Sequence, residues 1–164
     1  MWDDIQIRTA MTSDLAAVTS CADHAFGVYP QRSGIWVELA LEIRAGSVHV
    51  ICDAARVLGY ISFSPSRGHL FVETIAVRPD RHGEGLGSRL LSFAEREALR
   101  LGLSCVKLFT DGKIADNLTF YRRRGYRETD RYDEGGFSRV FYSKDIAPPW
   151  RWRRTPAHRT TPLG

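Results

Sequence analysis

Residues 5–8 (Ile-Gln-Ile-Arg) alternate apolar and polar side chains, the period of a half-buried strand. Leu15, Val18, Ala22 and Ala25 then fall on one side of a helix that Thr12 is placed to cap. Trp36, Leu39, Ala40 and Ile43 fall on one side of a second helix, with Ser33 as its cap and Gly46 as its terminator. The stretch 26–32 between them has loop composition. Three strand-like runs follow at 48–53, 57–63 and 69–77, and the short turns at 54–56 and 65–68 make them an antiparallel meander. A glycine-rich turn at 83–87 opens a helix with Leu90, Leu91, Ala94, Ala98 and Leu101 on one face, ended by Gly102. Residues 104–110 form a further strand and 117–124 a short helix closed by Gly125. A hairpin follows, 126–132 with 137–143, turning through residues 133–136. The order β-α-α-β-β-β-α-β-α-β-β predicts a mixed α/β (α+β) domain. The passage from the third meander strand through the long helix to the next strand requires one parallel pair.

Composition narrows the class. A chain of 164 residues, 43% hydrophobic and 26% charged, is expected to fold as a soluble globular protein with a single main domain. No apolar run approaches the roughly 18 residues that cross a bilayer, so no membrane association is expected. The first residues, Met1-Trp2-Asp3-Asp4, are acidic where a secretory leader is basic and then apolar. Cys21, Cys52 and Cys105 lack metal-site spacing and read as core residues of a reducing compartment, which predicts a cytoplasmic protein without a metal. The net charge of +4 is local: residues 147–164 hold Arg151, Arg153, Arg154 and Arg159 and no acid. Removing these four leaves 19 basic residues against 19 acidic ones in positions 1–146. Four of the seven prolines also lie there, so the division expected is a domain over 1–146 and an extended Arg/Pro-rich tail over 147–164. The balanced domain argues against nucleic acid as a partner, although Trp-Arg alternation in the tail keeps that rival open.

The chemical signal sits in residues 78–90, Arg-Pro-Asp-Arg-His-Gly-Glu-Gly-Leu-Gly-Ser-Arg-Leu. A strand, a Gly-x-Gly-x-Gly turn and a helix form an anion cradle, because successive N–H groups converge and the helix N-terminus adds about half a positive charge. The turn lacks the Gly-Lys-Ser/Thr ending of a nucleotide triphosphatase loop and the G-x-G-x-x-G spacing of a dinucleotide site. Taken alone, it is equally a tight strand-to-helix turn.

Its surroundings carry a resemblance. Residues 72–79 (Val-Glu-Thr-Ile-Ala-Val-Arg-Pro), the loop 81–88 and the following Leu90-Leu91 resemble the acetyl-coenzyme A motif of the GNAT superfamily of N-acetyltransferases. Residues 117–126 (Asn-Leu-Thr-Phe-Tyr-Arg-Arg-Arg-Gly-Tyr) are similar to that family's second signature, and the resemblance extends over about 5–146. It departs in one place. The first, basic position of the motif falls on His82, with Arg81 one residue earlier, so either Arg81 or the His82 ring N–H would make that pyrophosphate contact.

The resemblance implies a GNAT-like mixed sheet with acetyl-CoA lying across parted central strands, 69–77 and 104–110. Backbone groups of Ile75, Ala76 and Val77 would bind the pantetheine. The N–H groups from His82 through Gly83, Glu84, Gly85, Leu86 and Gly87 to Ser88 would hold the pyrophosphate. Asn117 would contact the pantetheine arm and Arg123 the adenosine end. Tyr121 occupies the position of the acid that assists the departing thiol, and the Val77 N–H is the best donor to an oxyanion.

Strict alternation would put Phe71, Glu73, Ile75 and Val77 on one side of their strand, with Glu73 desolvated between apolar neighbours and so suited to act as a base. The family also places its general base there. Either a direct or a water-mediated role is open, as is a structural ion pair with an arginine. His24, His49 and His69 read as isolated surface or packed residues. The activity implied is acetyl transfer from acetyl-CoA to the primary amine of a small molecule or peptide, by direct attack in a ternary complex of a monomer or homodimer. A coenzyme-binding sensor without turnover is the rival. The loop 26–34 is expected to wall the acceptor site, with Tyr29, Arg32 and Trp36 as its side chains.

Overall fold

A computed structural model of the protein describes residues 4–26, 35–54 and 56–146, with backbone alone for 35 and 36. Seven strands form a single sheet: β1 (Ile5–Thr9), β2 (Val48–Asp53), β3 (Arg56–Ser66), β4 (His69–Val77), β5 (Cys105–Asp111), β6 (Arg127–Glu134) and β7 (Phe137–Asp145). The helices are α1 (Leu15–Phe26), α2 (Ile35–Ala45), α3 (Leu86–Arg100) and α4 (Ala115–Arg123). The sheet order is β1-β2-β3-β4-β5-β7-β6, antiparallel throughout except for β4 and β5. The element order and the parallel pair agree with the sequence pattern, and the ends differ by a few residues. The tail expected at 147–164, the cap Ser33, and the wall residues Tyr29 and Arg32 lie outside the described residues, as does the Trp36 side chain.

Both faces of the sheet are covered, but unevenly. Leu86, Leu90, Leu91, Ala94 and Ala98 recur at helical spacing along α3 and pack on Leu58, Ile61, Leu70, Val72, Val106 and Leu108, all buried. On the opposite face α1 and α2 bury Val18, Ala22 and Leu39 against Val48, Val50, Tyr60 and Ala76. β3 lies under both layers, and its run Val57–Phe63 is therefore continuously buried instead of alternating. β6 is exposed along its whole length, and its charged sequence guards an edge strand. Two local expectations need correction. Leu101 is exposed, one residue past the end of α3. The turn before α1 is capped by the carboxylate of Asp14, which accepts the Met11 N–H (2.7 Å) and pairs with Arg8, and not by Thr12.

A bulge in β4 decides where side chains point. Ser62 pairs with Thr74 but Phe63 pairs with Val72, so Glu73 is the extra residue. Val72 and Ile75 therefore both face α3, while Phe71, Glu73 and Thr74 face the other side. The pairing of β4 with β5 covers Leu70, Phe71 and Val72 against Val106, Lys107 and Leu108 and ends there. Beyond it β4 stays with β3 up to Val77, β5 goes with β7, and the two strands part.

His49, on β2, is a packed residue, as expected. Its ring stacks on Phe63 at 4.9 Å and 6° and is tilted on Phe93 at 4.9 Å, and its Nδ1 is buried without a hydrogen-bond partner. Burial pushes its pKa below the ordinary 6.5, against a partial opposing pull from Glu97. The unfolded chain thus takes up this proton more readily than the folded one, so stability is full above pH 6.5 and falls as the pH is lowered through the folded value. Thermal melts at pH 7.5 and 5.0 will show a lower melting temperature at pH 5.0, and the difference will shrink in His49→Phe.

Candidate functional site

The gap between the parted strands opens into a cavity of about 930 Å³ that runs from the glycine turn to the face of β5 and β7. Its geometry begins with backbone phase. The Arg78 N–H donates to the Leu58 carbonyl at 2.8 Å, and hydrogen-bonded pairs alternate along an antiparallel ladder. Tyr60 and Ala76 are the next such pair, so Ala76 spends its backbone polar groups on β3. Ile75 and Val77 turn theirs the other way, into the gap. The expectation that Ala76 offers backbone hydrogen bonds there is thereby corrected, although Ala76 does line the cavity.

The turn after β4 is held by side chains that the sequence had offered to a ligand. The His82 Nε2–H donates to the Val77 carbonyl at 2.8 Å, tying the turn back onto the strand. The Arg81 guanidinium lies between Glu84 (2.8 Å) and Asp53 (3.1 Å). The Arg81 charge is thus opposed by two carboxylates, and the His82 ring N–H is already engaged. Both residues line the cavity, but neither side chain is the free cation expected for the motif's basic position. Glu84 turns to Arg81 and lies outside the lining.

What the turn does present is backbone. Gly83 (φ +81°) and Gly85 (φ +76°) adopt left-handed conformations, and a Cβ at either would meet open space. Their constraint is therefore conformational: the backbone must reverse so that N–H groups converge at the start of α3. Gly87 answers a different demand, since its Cβ would reach the Phe120 ring at 3.4 Å, where α3 meets α4. Gly83, Gly85, Leu86, Gly87 and Ser88 all line the cavity, beside an α3 N-terminus whose dipole favours an anion.

α4 supplies the opposite wall. The Asn117 Nδ2 donates to Thr110 Oγ1 at 3.2 Å, and Asn117 lines the cavity. Tyr121 lines it too, with its ring buried against Phe120, Tyr126 and Tyr142. Burial pushes its phenol far above the ordinary pKa of 10, with a smaller opposing effect from Arg124, so the hydroxyl stays protonated and is a lasting hydrogen-bond donor. Arg123 is exposed and outside the lining. Arg124 lines the cavity instead, stacked 3.6 Å from the Phe120 ring centre and donating to the Phe120 carbonyl and to Ser88 Oγ. The spacing from Phe120 to Arg124, one helical turn, is the signal that singles it out within the arginine run.

At the other end of the cavity the bulge corrects the picture of Glu73. It does not share a face with Ile75 and Val77, and it is exposed instead of desolvated, accepting a hydrogen bond from Ser64 Oγ at 3.3 Å. No arginine pairs with it among the described residues. The lining also includes residues that sequence reasoning passed over, Thr74, Phe109, Phe137, Ser138 and Arg139, together with His24 and with Phe26, the first residue of the loop expected as a wall. His24 is not an isolated surface residue, since it sits on the cavity rim with Nδ1–H donating to the Ser20 carbonyl (2.7 Å), which leaves Nε2 available. Thr74 Oγ1 shares a 2.8 Å hydrogen bond with the buried Ser62, and Glu42 on α2 feels that hydroxyl and the charge of Glu73. Burial is the largest influence on Glu42 and raises its pKa.

Comparisons with known proteins bear on the fold and the family. The model of the acetyltransferase (GNAT) family matches residues 15–126. The chain belongs to the GNAT acetyltransferase family. It is an acyl-CoA-dependent N-acetyltransferase, with acetyl-CoA as cosubstrate. The chain is similar to the S-alkylcysteine N-acetyltransferase of Bacillus subtilis, 27% identical over 90% of this chain and 92% of that one. It is 36% identical over 58 residues to the aminoalkylphosphonate N-acetyltransferase of Salmonella typhimurium, covering 35% of this chain and only 38% of that relative. Among solved structures, yncA of Salmonella typhimurium, determined with its cofactor acetyl-CoA, superposes with a TM-score of 0.73 at 23% identity over 88% of this chain and 95% of that one.

Replacing Gly85 with Trp should place a large side chain where the turn faces the cavity. The variant is expected to keep its circular-dichroism spectrum and to lose at least about tenfold in coenzyme A affinity in a thermal-shift titration. Gly68→Trp, at an equally left-handed glycine in the β3–β4 turn (φ +78°), should carry the same backbone strain and keep the coenzyme response.

Proposed function

We propose that the protein transfers an acetyl group from acetyl-CoA directly to the primary amine of a small acceptor within a ternary complex, the acetyltransferase unit spanning 1–146 with 147–164 appended to it, in the cytoplasm. The observation that carries this reading is the pair of backbone groups at Ile75 and Val77, turned into a gap that the glycine turn closes at one end and Glu73 at the other. Amides at 82–88 would hold the diphosphate, Val77 (which ends β4 beside that turn) and Asn117 the pantetheine, and the Ile75 N–H, two residues nearer Glu73, would face the thioester oxygen in place of the Val77 N–H expected from the sequence. The carbonyl of Val77 is taken by His82, which leaves its N–H for a pantetheine carbonyl and the Ile75 N–H for the oxyanion.

In the step itself the amine nitrogen attacks the acetyl carbon, a C–N bond forms and the C–S bond breaks. The proton leaving nitrogen passes to Glu73, through water because that carboxylate is solvated. Tyr121 supports the departing sulfur. Its raised pKa makes full loss of its proton costly, so its contribution is a hydrogen bond to the thiolate, which then takes up a proton from solvent. The small-acceptor reading has support from the two curated relatives, both named as N-acetyltransferases of small amines.

Tyr121→Phe is expected to lower turnover by about 10²-fold while coenzyme affinity stays within a factor of about two. Glu73→Gln should cut turnover by about tenfold or more. Thiol release from acetyl-CoA measures both, and near-normal turnover of either variant removes that residue from its role.

A further inference from the structure

The acceptor end of the cavity has a chemistry of its own. On the face opposite α3, α1 and α2 cover β2, β3 and the upper part of β4, while side chains of β5 and β7 form a floor that no described helix covers. Phe109 of β5 is its centre, with Phe71 at 6.2 Å on one side and Phe141 at 5.7 Å on the other. Glu73 stands on the β4 side. On the β7 side Arg139 holds its guanidinium 5.3 Å from the centre of the Phe109 ring. Glu73 and Arg139 both line the cavity, one strand apart on either side of β5.

Arg139 differs from the other arginines of the cavity. Arg81 is held by two carboxylates and Arg124 by Ser88 and the Phe120 carbonyl, whereas Arg139 joins no salt bridge among the described residues. Its ladder partner Asp111 accepts the Lys113 N–H at 2.8 Å. Among the described residues the guanidinium is exposed, set over an aromatic face, and without a hydrogen-bond partner for its planar fork of donors, the geometry that receives a carboxylate.

An apolar floor with a carboxylate on one side and a guanidinium on the other complements a single small molecule that carries an ammonium, an anion and an apolar substituent. We infer that the acceptor is an α-amino acid with an apolar side chain, its carboxylate on Arg139, its side chain on Phe109 and Phe137, and its amino group facing Glu73 through water. It rests on acetyl transfer at this cavity, as proposed above. Polyamines bring a second cation toward Arg139. Lysine side chains and peptide N-termini lack the nearby anion, and each would leave the guanidinium unmatched.

Thiol release from acetyl-CoA with alanine, methionine and phenylalanine, each beside its own amide, and with spermidine, tests this. kcat/KM should rise with the apolar side chain and exceed that of the amide by about 30-fold, the size expected for a charge-assisted pair. In Arg139→Gln the acid-to-amide ratio should collapse to below about threefold, and Arg139→Lys should restore part of it. Both substrates of a pair meet the same preparation, so the ratio does not depend on how much of the variant folds. A ratio near one in the parent protein, spermidine as the best acceptor, or an unchanged ratio in Arg139→Gln overturns the acceptor class and leaves acetyl transfer standing. Coenzyme binding with no thiol released by any amine overturns the transfer reading and this class with it.

Discussion

The rest of the site depends on β4 and β5 ceasing to pair after Val72 and Leu108. Backbone N–H and C=O groups are obligatory hydrogen-bonding groups, and a strand that leaves its neighbour must find partners elsewhere. β4 keeps its β3 ladder as far as Val77, which stabilises it in the extended form, while its other edge turns the polar groups of Ile75 and Val77 into the gap. A bulge at Glu73 makes this geometry possible by bending the strand and increasing its twist at the point of divergence. The gap therefore suits an extended chain bearing amides, and it narrows the partner to one that can lie along a strand edge and end in an anion at the glycine turn.

Electrostatics at that turn come from backbone more than from side chains. Arg81 is balanced by Asp53 and Glu84, and these contacts, with the His82 bond to Val77, fix the turn against β2 and β4. The converging amides and the α3 dipole remain as the net attraction for an anion. They work without a mobile cation and with little conformational entropy left to lose, since the glycines are already in their left-handed conformations. On the opposite side of the gap, Tyr121 is kept protonated by burial in an aromatic cluster, so the cavity has a donor that solvent pH does not switch off.

Most of the fold was legible because it follows from spacing. The stripe on α3, the meander and the final hairpin each repeat a period that admits one element. The glycine turn and the Asn117–Tyr121 helix were legible for the same reason: their residue types answer local backbone demands. The face of Glu73 was not, because a single bulge shifts the alternation and nothing in Phe71–Val77 marks it. His82 and Arg81 misled because their chemistry suits a phosphate and their actual partners, Val77 and the pair Asp53 and Glu84, are set by tertiary geometry. Arg123 and Arg124 are indistinguishable by composition, and only the helical turn back to Phe120 separates them. Arg139 was missed for a related reason, since its neighbour Phe109 lies thirty residues earlier and meets it only through the β5–β7 ladder.

Backbone amides are the proposed receptor of the coenzyme, and a crystal structure of the protein with coenzyme A bound tests that most directly. The diphosphate should lie within hydrogen-bonding distance of the N–H groups between residues 83 and 88. The Val77 N–H should donate to the pantetheine along the open edge of β4, the Ile75 N–H should face the thioester end, and the sulfur should come to rest beside Tyr121. A diphosphate held by arginine side chains away from the turn, or a pantetheine lying outside the gap between β4 and β5, would contradict it.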